Sequence, residues 1–426
     1  MLSDNEKFTE LELKKAIENG DTKAVEQLLT NPNINPAICD NSAIRMASHS
    51  GYIEIVKLLL ADPRVDPTDK DNGAILMAVY GEHLEIVKLL LSDKRVDPSV
   101  NNNIVIMMAS SKKNIEIIKL LLEDQRVDPS VSGNRLIKRA VDEGDIEIVK
   151  LFLTDKRVDP SVNENAAIMM AVEKSNIEMV KLLLADPRVD PSDHNNFIII
   201  TAIERKDIEM VKLLLTDSRV DPSANSNFAI KKTSELGCVE ITKLLLADKR
   251  VDPSDVDNRA IIWATYGGHI DIIKLLLADK RVDPSANNNQ SIMLAAYSGY
   301  VDIAKLLLED PRVNPSTVDN TPIRVSSEKG YTGIVRLLLA DERVDPSADN
   351  NYAIRLAAKN GHTEIIKLLL KDPRVDPTVN NNYPVRVAVK NRYTDIIKLL
   401  SEDSRTTQQA GLTPNIVKDF LKFLGI

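Results

Sequence analysis

The chain has 426 residues, of which 28% are charged and 4% are aromatic, and its formal net charge at pH 7 is −8. An acidic chain with few aromatic rings is a poor match for nucleic acid, because phosphates need a basic stripe and exposed bases need rings to stack on. The longest apolar stretch, residues 197–203, is broken by Thr201 and is far shorter than the roughly 20 residues of a membrane-spanning helix. We therefore expect no nucleic-acid partner and no membrane contact.

The N-terminal residues and the cysteines indicate a cytoplasmic protein. The segment MLSDNEKFTEL at the start of the chain lacks the basic region and the apolar run of a secretory signal. Cys39 and Cys238 are far apart in the chain and show neither metal-type nor redox-type spacing. Unpaired thiols are typical of a reducing compartment, so we expect a cytoplasmic location.

A period of 31 residues runs through the chain in register. Its clearest marker is a column of twelve prolines that begins at Pro36 and ends at Pro377 without an insertion or a deletion. A fixed period of this size is the sequence signature of a solenoid, in which each unit packs only on its neighbours. Because no linker-like segment interrupts the register, the period predicts one repeat array and not a globular enzyme built around a pocket.

Residues 349–379 show the structure expected of one unit. The apolar spacing of residues 353–360 predicts a short helix, and Gly361 stands where a helix end often needs a left-handed residue. Residues 363–370 carry a broad apolar face that predicts a second helix, and the prolines of residues 372–377 end that helix in an extended finger. Neither helix is long enough to be stable alone in water, so the units are expected to stack.

One column of the period is asparagine in every unit, just before the first helix. Asparagine is among the best N-cap residues, so these side chains are predicted to cap the first helices. The column consists of Asn41, Asn72, Asn103, Asn134, Asn165, Asn196, Asn227, Asn258, Asn289, Asn320, Asn351 and Asn382.

The register extends to both ends of the chain, where matching residue types continue to Leu13 and to Ile416. Gln27 and Ser401 replace leucines of the repeat, and polar replacement at the ends is what the capping units of a solenoid need for solubility. The predicted divisions are an N-terminal capping repeat over residues 1–34, a repeat array over residues 35–400 and a C-terminal capping half-repeat over residues 401–426.

The segment AAKNGHTEIIKLLL, residues 357–370, is similar to the helix–turn–helix core of the ankyrin repeat and recurs along nearly the whole chain. The chain thus resembles an ankyrin-repeat protein, and its short fingers and asparagine runs resemble ankyrin proteins of giant amoeba viruses and their protist hosts. The resemblance implies an all-α, ankyrin-type α-solenoid of about thirteen stacked helix-turn-helix repeats with short finger loops. The fingers should be short because the usual ankyrin unit is about two residues longer.

An arginine column and several histidines are the main candidates for a chemical site. The arginines lie between two acidic residues, as Arg64 lies between Asp62 and Asp66, except that Asn314 stands in the second place after Arg312; this pattern predicts a structural ion pair and not a phosphate track. The resemblance implies a structural role in the turn for His83, His269 and His362. No pattern of nucleophile, metal ligand or phosphate-binding loop stands out, so we expect no enzymatic activity, no cofactor and no metal.

The positions that vary between repeats are the candidate binding site, because the framework positions are set by packing. By resemblance to ankyrin proteins, the end of the first helix and the finger tips line a concave face. Exposed tyrosines flanked by charge are typical of binding hot spots. The candidate partner-binding residues are Glu173, Glu204, Glu235, Tyr266 and Tyr297 at the ends of first helices, with Phe197 and Phe228 at helix starts.

Two functions stay open on the sequence. The first is a non-enzymatic scaffold for protein–protein interaction, a monomer whose concave face binds a partner with a basic or amphipathic segment. The alternative is a substrate adaptor of a ubiquitin ligase, because residues 412–424 loosely resemble the start of an F-box. The same segment also fits an in-register capping helix, since Thr413 would be its N-cap and Pro414 its first helical residue.

Overall fold

The computed structural model describes residues 4–406, with side chains from residue 11 onward, and this part of the chain contains α-helices and no β-strand. The helices are α1 (Asp4–Glu18), α2 (Thr22–Leu29), α3 (Ile38–Ser50), α4 (Ile53–Ala61), α5 (Asp69–Tyr80), α6 (Leu84–Ser92), α7 (Val100–Ser111), α8 (Ile115–Glu123), α9 (Val131–Glu143), α10 (Ile146–Thr154), α11 (Val162–Glu173), α12 (Ile177–Leu184), α13 (Asp193–Glu204), α14 (Ile208–Thr216), α15 (Ala224–Leu236), α16 (Val239–Ala247), α17 (Asp255–Tyr266), α18 (Ile270–Leu277), α19 (Ala286–Ser298), α20 (Val301–Leu308), α21 (Thr317–Lys329), α22 (Thr332–Leu339), α23 (Ala348–Asn360), α24 (Thr363–Leu369), α25 (Val379–Asn391) and α26 (Thr394–Glu402). The predicted capping helix and the F-box-like segment near the C-terminus lie outside the described residues.

The helices form pairs, in which each odd-numbered helix is the first and each even-numbered helix the second of a repeat. The two helices of a repeat pack together, as α3 on α4 and α15 on α16, and first helices pack on first helices of the adjacent repeat, as α3 on α5 and α15 on α17. The chain divides into two compact units, Met1–His194 and Asn195–Ile426. The predicted all-α solenoid of helix–turn–helix repeats is thereby confirmed, and the described residues contain thirteen helix pairs.

The core consists of the apolar columns that the period predicts. In the repeat of α23 and α24, the fully buried side chains include Ala353, Ile354, Ala357, Ala358, Ile365, Ile366 and Leu369. Burying a side chain of the size of leucine or isoleucine stabilises the fold by about 1.5–3 kcal/mol. Helices of 7–13 residues are marginal alone, so this packing between neighbours holds them in place.

Each first helix from α3 onward begins with three consecutive residues in the left-handed conformation. In α23 these are Asp349, Asn350 and Asn351, with φ of 51°, 57° and 55°, so the regular right-handed helix starts at Tyr352. Asn and Asp adopt this conformation more readily than other residues with a side chain. The predominance of Asn, Asp and Ser at these three positions follows from this turn.

The prediction that the asparagine column caps the first helices is wrong. The Asn351 Oδ1 accepts the backbone N–H of Asp376 in the next repeat at 2.7 Å, and the Asn227 Oδ1 accepts that of Asp252 at the same distance. An N-cap residue has β-region dihedrals, whereas these asparagines are left-handed, so their oxygens do not turn toward their own first turn. From Asn41 to Asn351 the column instead links each repeat to the next through this hydrogen bond, whereas the Oδ1 of Asn382 has no hydrogen-bond partner among the described residues.

The arginine column has a structural role, although with one aspartate where two were predicted. The guanidinium of Arg374 donates from Nε and Nη2 to the carboxylate of Asp372 at 3.0 and 2.7 Å. Its Nη1 donates to the carbonyl oxygen of Val344 in the preceding repeat at 2.8 Å. The second aspartate, Asp376, accepts from the backbone and hydroxyl of Thr378 instead. The arginine therefore clamps its own finger to the finger before it.

The turn between the two helices of a repeat is as predicted. Gly361 has a φ of 83° and ends α23, and the Nε2 of His362 lies 2.9 Å from the carbonyl oxygen of Glu328 in the preceding repeat. His83 and His269 make the same contact at 2.9 and 3.0 Å. The structural role of these three histidines is confirmed.

Candidate protein-interaction surface

The first helices present one repeated surface whose residues vary. Counting from the column asparagine as position 0, positions 2, 3, 6 and 7 of α23 are buried, whereas positions 1, 4, 5, 8 and 9 face away from the core. This spacing is expected for an amphipathic helix with 3.6 residues per turn, in which one side is buried and the other faces solvent. We call positions 1, 4, 5, 8 and 9 of the first helices the first-helix surface, and the predicted partner-binding residues all lie on it.

Position 8 carries the predicted row of acidic and aromatic residues. Within the second unit, Glu204, Glu235, Tyr266 and Tyr297 occupy this position in four successive first helices, α13 to α19. The side chains of Tyr266 and Tyr297 are 70% and 56% exposed. Glu173 has the same position in α11 of the first unit and is also exposed. Whether these residues bind a partner stays a prediction.

The two glutamates of the row are not free charges. The Nζ of Lys232 lies 3.3 Å from a carboxylate oxygen of Glu204 and 3.3 Å from one of Glu235. One lysine of α15 thus sits between both carboxylates. Because it offsets part of their charge, the row attracts a basic segment less than the residue types alone suggest.

The two tyrosines of the row differ in their surroundings. The Nζ of Lys329 lies 3.8 Å above the ring of Tyr297, a cation–π contact between position 8 and position 9 of the next repeat. For Tyr266 the equivalent position is Ser298, which has no charge to place over the ring. Tyr266 is therefore the more accessible aromatic side chain.

The phenylalanines at position 1 also differ from each other. Phe197 at the start of α13 is 48% exposed, whereas Phe228 at the start of α15 is half-buried. Phe197 therefore contributes more accessible apolar area to the second unit than Phe228 does.

Sequence reasoning missed residues at positions 4 and 5. Trp263, the only tryptophan of the chain, is at position 5 of α17, and Met293 and Leu294 occupy positions 4 and 5 of α19. All three are half-buried and lie on the same face as Tyr266 and Tyr297. The signal that could have found them is the helical spacing, since positions 1, 4, 5 and 8 share one side of a helix.

A smaller aromatic cluster of the same kind lies in the first unit. Tyr80 occupies position 8 of α5, its ring centroid is 5.5 Å from that of His49, and the Nζ of Lys112 lies 4.0 Å above the ring. This residue was also missed, although the period places it in the column of Tyr266. Its ring is already in contact with both neighbours.

The second helices present a different surface. Their exposed lysines pair with acidic residues three positions earlier, as Lys57 with Glu54 at 2.7 Å and Lys88 with Glu85 at 2.6 Å. Such pairs are ordinary features of a solvated helix face. This face is a suitable control surface for binding experiments.

The described part of the chain was also compared with the requirements of a metal site, a membrane span and a disulfide. Among residues 4–406, no group of three or more His, Cys, Asp or Glu residues could hold a metal ion. No helix in this range is long and apolar enough to cross a membrane. Cys39 is exposed and Cys238 buried, and neither forms a disulfide.

The comparison with protein families assigns the fold. A family model described as "Ankyrin repeats (3 copies)" matches residues 13–102, 45–133, 75–164, 136–226, 227–319 and 323–410. The chain belongs to the ankyrin-repeat family. A search of curated proteins found no match for this ankyrin-repeat protein. The resemblance to proteins of giant amoeba viruses and protists stays a prediction.

Proposed function

We propose that this ankyrin-repeat protein is a non-enzymatic scaffold that binds one protein partner through the first-helix surface of its second unit. Ankyrin repeats are in general protein–protein interaction modules. The observation that carries the proposal is the pair of exposed tyrosines, Tyr266 and Tyr297, on the same face as the half-buried Trp263. Large aromatic side chains that are accessible before binding are typical anchors of an interface.

The chemistry of this surface favours an amphipathic partner segment over a purely basic one. The surface contains an apolar patch that consists of Trp263, Met293 and Leu294. The exposed Tyr266 and Tyr297 lie on the same face as this patch. A partner helix or strand with one apolar face can pack against this patch. The glutamates of the row then contribute orientation more than attraction, because they already share a lysine.

We also propose that the scaffold acts as a monomer in the cytoplasm and that its ends are capping units. The exposed and unpaired thiol of Cys39 supports a reducing compartment. Gln27 is exposed where later repeats carry a half-buried leucine such as Leu58, which supports a capping role for residues 1–34. Deletion of residues 407–426 tests the other end: loss of thermal stability alone indicates a cap, and loss of a ligase partner indicates an adaptor.

The double substitution Tyr266→Ala and Tyr297→Ala tests the binding surface. The native partner is first identified by affinity purification from the source cell and then titrated against purified variants. Because hot-spot truncations cost about 2 kcal/mol or more each, we expect affinity to fall by at least about tenfold. The midpoint of thermal unfolding should change little, since neither side chain belongs to the core.

The matched control is Lys57→Ala with Lys88→Ala on the second-helix surface, which should bind normally. Normal binding by the tyrosine variant together with loss of binding by the lysine variant would show that the partner uses the opposite face.

A further inference from the structure

The first-helix surface of α21, α23 and α25 has a charge opposite to that of the chain. Its fifteen positions contain six cations and one acid, Glu328, so they contribute +5 to a chain of net charge −8, and all other residues together carry −13. A concentration of charge of one sign attracts partners of the other sign. We call the six cations the basic surface, and they are Arg324, Lys329, Arg355, Lys359, Arg386 and Lys390.

The basic surface forms two rows that cross the three helices. Position 4 is arginine in all three, position 8 is lysine in α23 and α25, and in α21 the lysine takes position 9. Since a helix rises 1.5 Å per residue, the two rows lie about 6 Å apart along the helices. Position 5, which lies between the rows along the helix axis, carries the half-buried apolar residues Val325, Leu356 and Val387.

Contacts between repeats bring the cations of each row together. The guanidinium carbons of Arg324 and Arg355 lie 4.7 and 5.4 Å from the ring centroid of Tyr352. The Nδ2 of Asn391 donates to the carbonyl oxygen of Lys359 at 3.0 Å, which places position 9 of α25 against position 8 of α23. Like charges are therefore held on adjacent helices of the same unit.

Five of the six cations have no carboxylate partner among residues 11–406. Arg324 is the exception, because its Nη2 lies 2.6 Å from a carboxylate oxygen of Asp349. Arg355 donates to the carbonyl oxygen of Asp349 at 3.0 Å, and Arg386 donates to a carbonyl oxygen of its own turn at 3.4 Å. These carbonyl contacts orient the guanidinium groups but leave their charge in place.

Other cations of the same repeats do have carboxylate partners. The Nζ of Lys367 in α24 lies 2.6 Å from Glu364, and the Nη2 of Arg374 in the finger lies 2.7 Å from Asp372. The basic surface departs from this pattern. Because its like charges repel each other, carboxylates supplied by a partner would find a favourable potential there.

The surroundings favour an acidic protein segment over a nucleic acid or an anionic membrane. The ring of Tyr352 already contacts two guanidinium groups, and the Nζ of Lys329 lies 3.8 Å above the ring of Tyr297, so these rings are less available to stack on bases. A long polyanion or a membrane would also meet the negative charge of the rest of the chain. A short segment needs to contact only the basic surface.

We propose that the basic surface binds an acidic, amphipathic segment of the protein partner, with its apolar residues on the row of Leu356 and its Asp or Glu side chains on the two cationic rows. Guanidinium and ammonium groups both bind carboxylates well. Because packed helices lie about 8–10 Å apart, α21 to α25 span about 16–20 Å, the length of a partner helix of about 11–13 residues. The proposal rests on the proposed function, because Lys329 joins the basic surface to Tyr297 and the same partner would cover both.

The experiment selects a library of random displayed 12-residue peptides on the wild-type full chain and titrates synthetic versions of the enriched peptides. We expect these peptides to combine apolar residues with Asp or Glu. The double substitution Lys359→Gln with Lys390→Gln should weaken their binding about threefold to thirtyfold, because it removes two exposed ion pairs. The midpoint of thermal unfolding should change little, since both lysines are exposed.

The matched control is Lys367→Gln with Lys398→Gln, which removes the same charge from the second helices of the same repeats. Its affinity for the peptides should change by less than about twofold. The charge reversal Lys359→Glu with Lys390→Glu should instead prefer peptides in which Asp and Glu are replaced by Lys. A rise in salt concentration should weaken binding to the wild type and reduce its advantage over the glutamine variant.

The outcomes separate this proposal from the proposed function. Peptides that need Tyr266 and Tyr297 but bind the Lys359 and Lys390 variants normally would overturn the acidic segment and leave the scaffold intact. Acidic peptides that need the lysines but not the tyrosines would support the basic surface and count against the aromatic site. Enrichment of no peptide that depends on either would count against both. Tighter lysine-dependent binding of single-stranded RNA, or of vesicles with anionic lipid, than of any enriched peptide would overturn a protein segment as the occupant.

Discussion

The three left-handed residues at the start of each first helix from α3 onward show how backbone conformation restricts the residue types at single positions. The first of the three left-handed residues is Asn in several repeats, but it is Val256 in α17 and Val318 in α21. Val318 has φ of 45° and ψ of 59° and is 57% exposed. A β-branched residue is disfavoured in this region because its side chain crowds the backbone. Since the side chain of Val318 is exposed, it gains little packing energy that could offset this strain.

Replacement of Val318 by Asn should therefore stabilise the protein. We expect the free energy of unfolding to rise by about 1 kcal/mol, because Asn adopts the left-handed conformation with less strain. The reverse change, Asn225→Val, places valine at the same position three repeats earlier, in α15, where φ is 52°. It should lower the free energy of unfolding by a similar amount in urea titrations. Equal stability of both variants and the wild type would show that the turn tolerates valine.

At the scale of the elements, the asparagine column connects neighbouring repeats. Asn227 is buried, accepts the N–H of Asp252 and donates to Asp255, so it bonds two points of the following repeat. Loss of the acceptor would leave the Asp252 N–H without its partner, and an unsatisfied buried donor costs about 1–3 kcal/mol. This hydrogen bond joins two different repeats, so the helix propensities of the residues around Asn227 do not predict it.

The substitutions Asn227→Gly and Asn227→Ala distinguish this link from an N-cap. Glycine at an N-cap costs only a few tenths of a kcal/mol, whereas loss of the cross-repeat bond should cost at least about 1 kcal/mol for both variants. Alanine should cost about 1 kcal/mol more than glycine, because it also strains the left-handed backbone. The control is Asn225→Gly in the same turn, which should be close to neutral in the same thermal and urea measurements. A near-neutral Asn227→Gly would contradict the link.

At the scale of the whole molecule, one ion pair is repeated along the array. In each finger the hydrogen bond from the arginine, helped by its charge, holds the pKa of the aspartate below its usual value, as for Asp93 in the first unit and Asp372 in the second. Burial opposes the shift without cancelling it. The repetition makes a small local effect a property of the entire chain.

We therefore expect acid to destabilise the protein through these fingers. Because the folded-state pKa lies below the unfolded value of about 3.9, the stabilisation is present above that pH and is lost as the pH falls through the folded-state pKa. Urea midpoints should be steady from pH 7 to about pH 5 and fall steeply below about pH 4. The variant Asp372→Asn serves as the control: its stability deficit should be largest at neutral pH and shrink in acid. A deficit that does not depend on pH would show that the charge of Asp372 is unimportant.

Much of the fold follows from local patterns that the chain repeats. The positions of the helices, the buried columns such as Ile354 and Leu369, and the turn of Gly361 and His362 were predicted correctly. Each of these depends on spacings within one repeat, and repetition confirms the pattern many times over. The arginine column was assigned correctly to structure for the same reason, since its carboxylate partner lies two residues away.

What only the tertiary structure decided are the contacts between repeats. Residues about one period apart become neighbours when the repeats stack, and local spacing does not show which of them touch. Examples are the hydrogen bond that the Asn227 oxygen accepts from Asp252 and the contact of the Lys329 ammonium with the ring of Tyr297, which Tyr266 does not have. The sequence by itself determined the repeat and its core, and the stacking of repeats decided which polar and aromatic side chains contact a neighbouring repeat, because those partners lie about one period away along the chain.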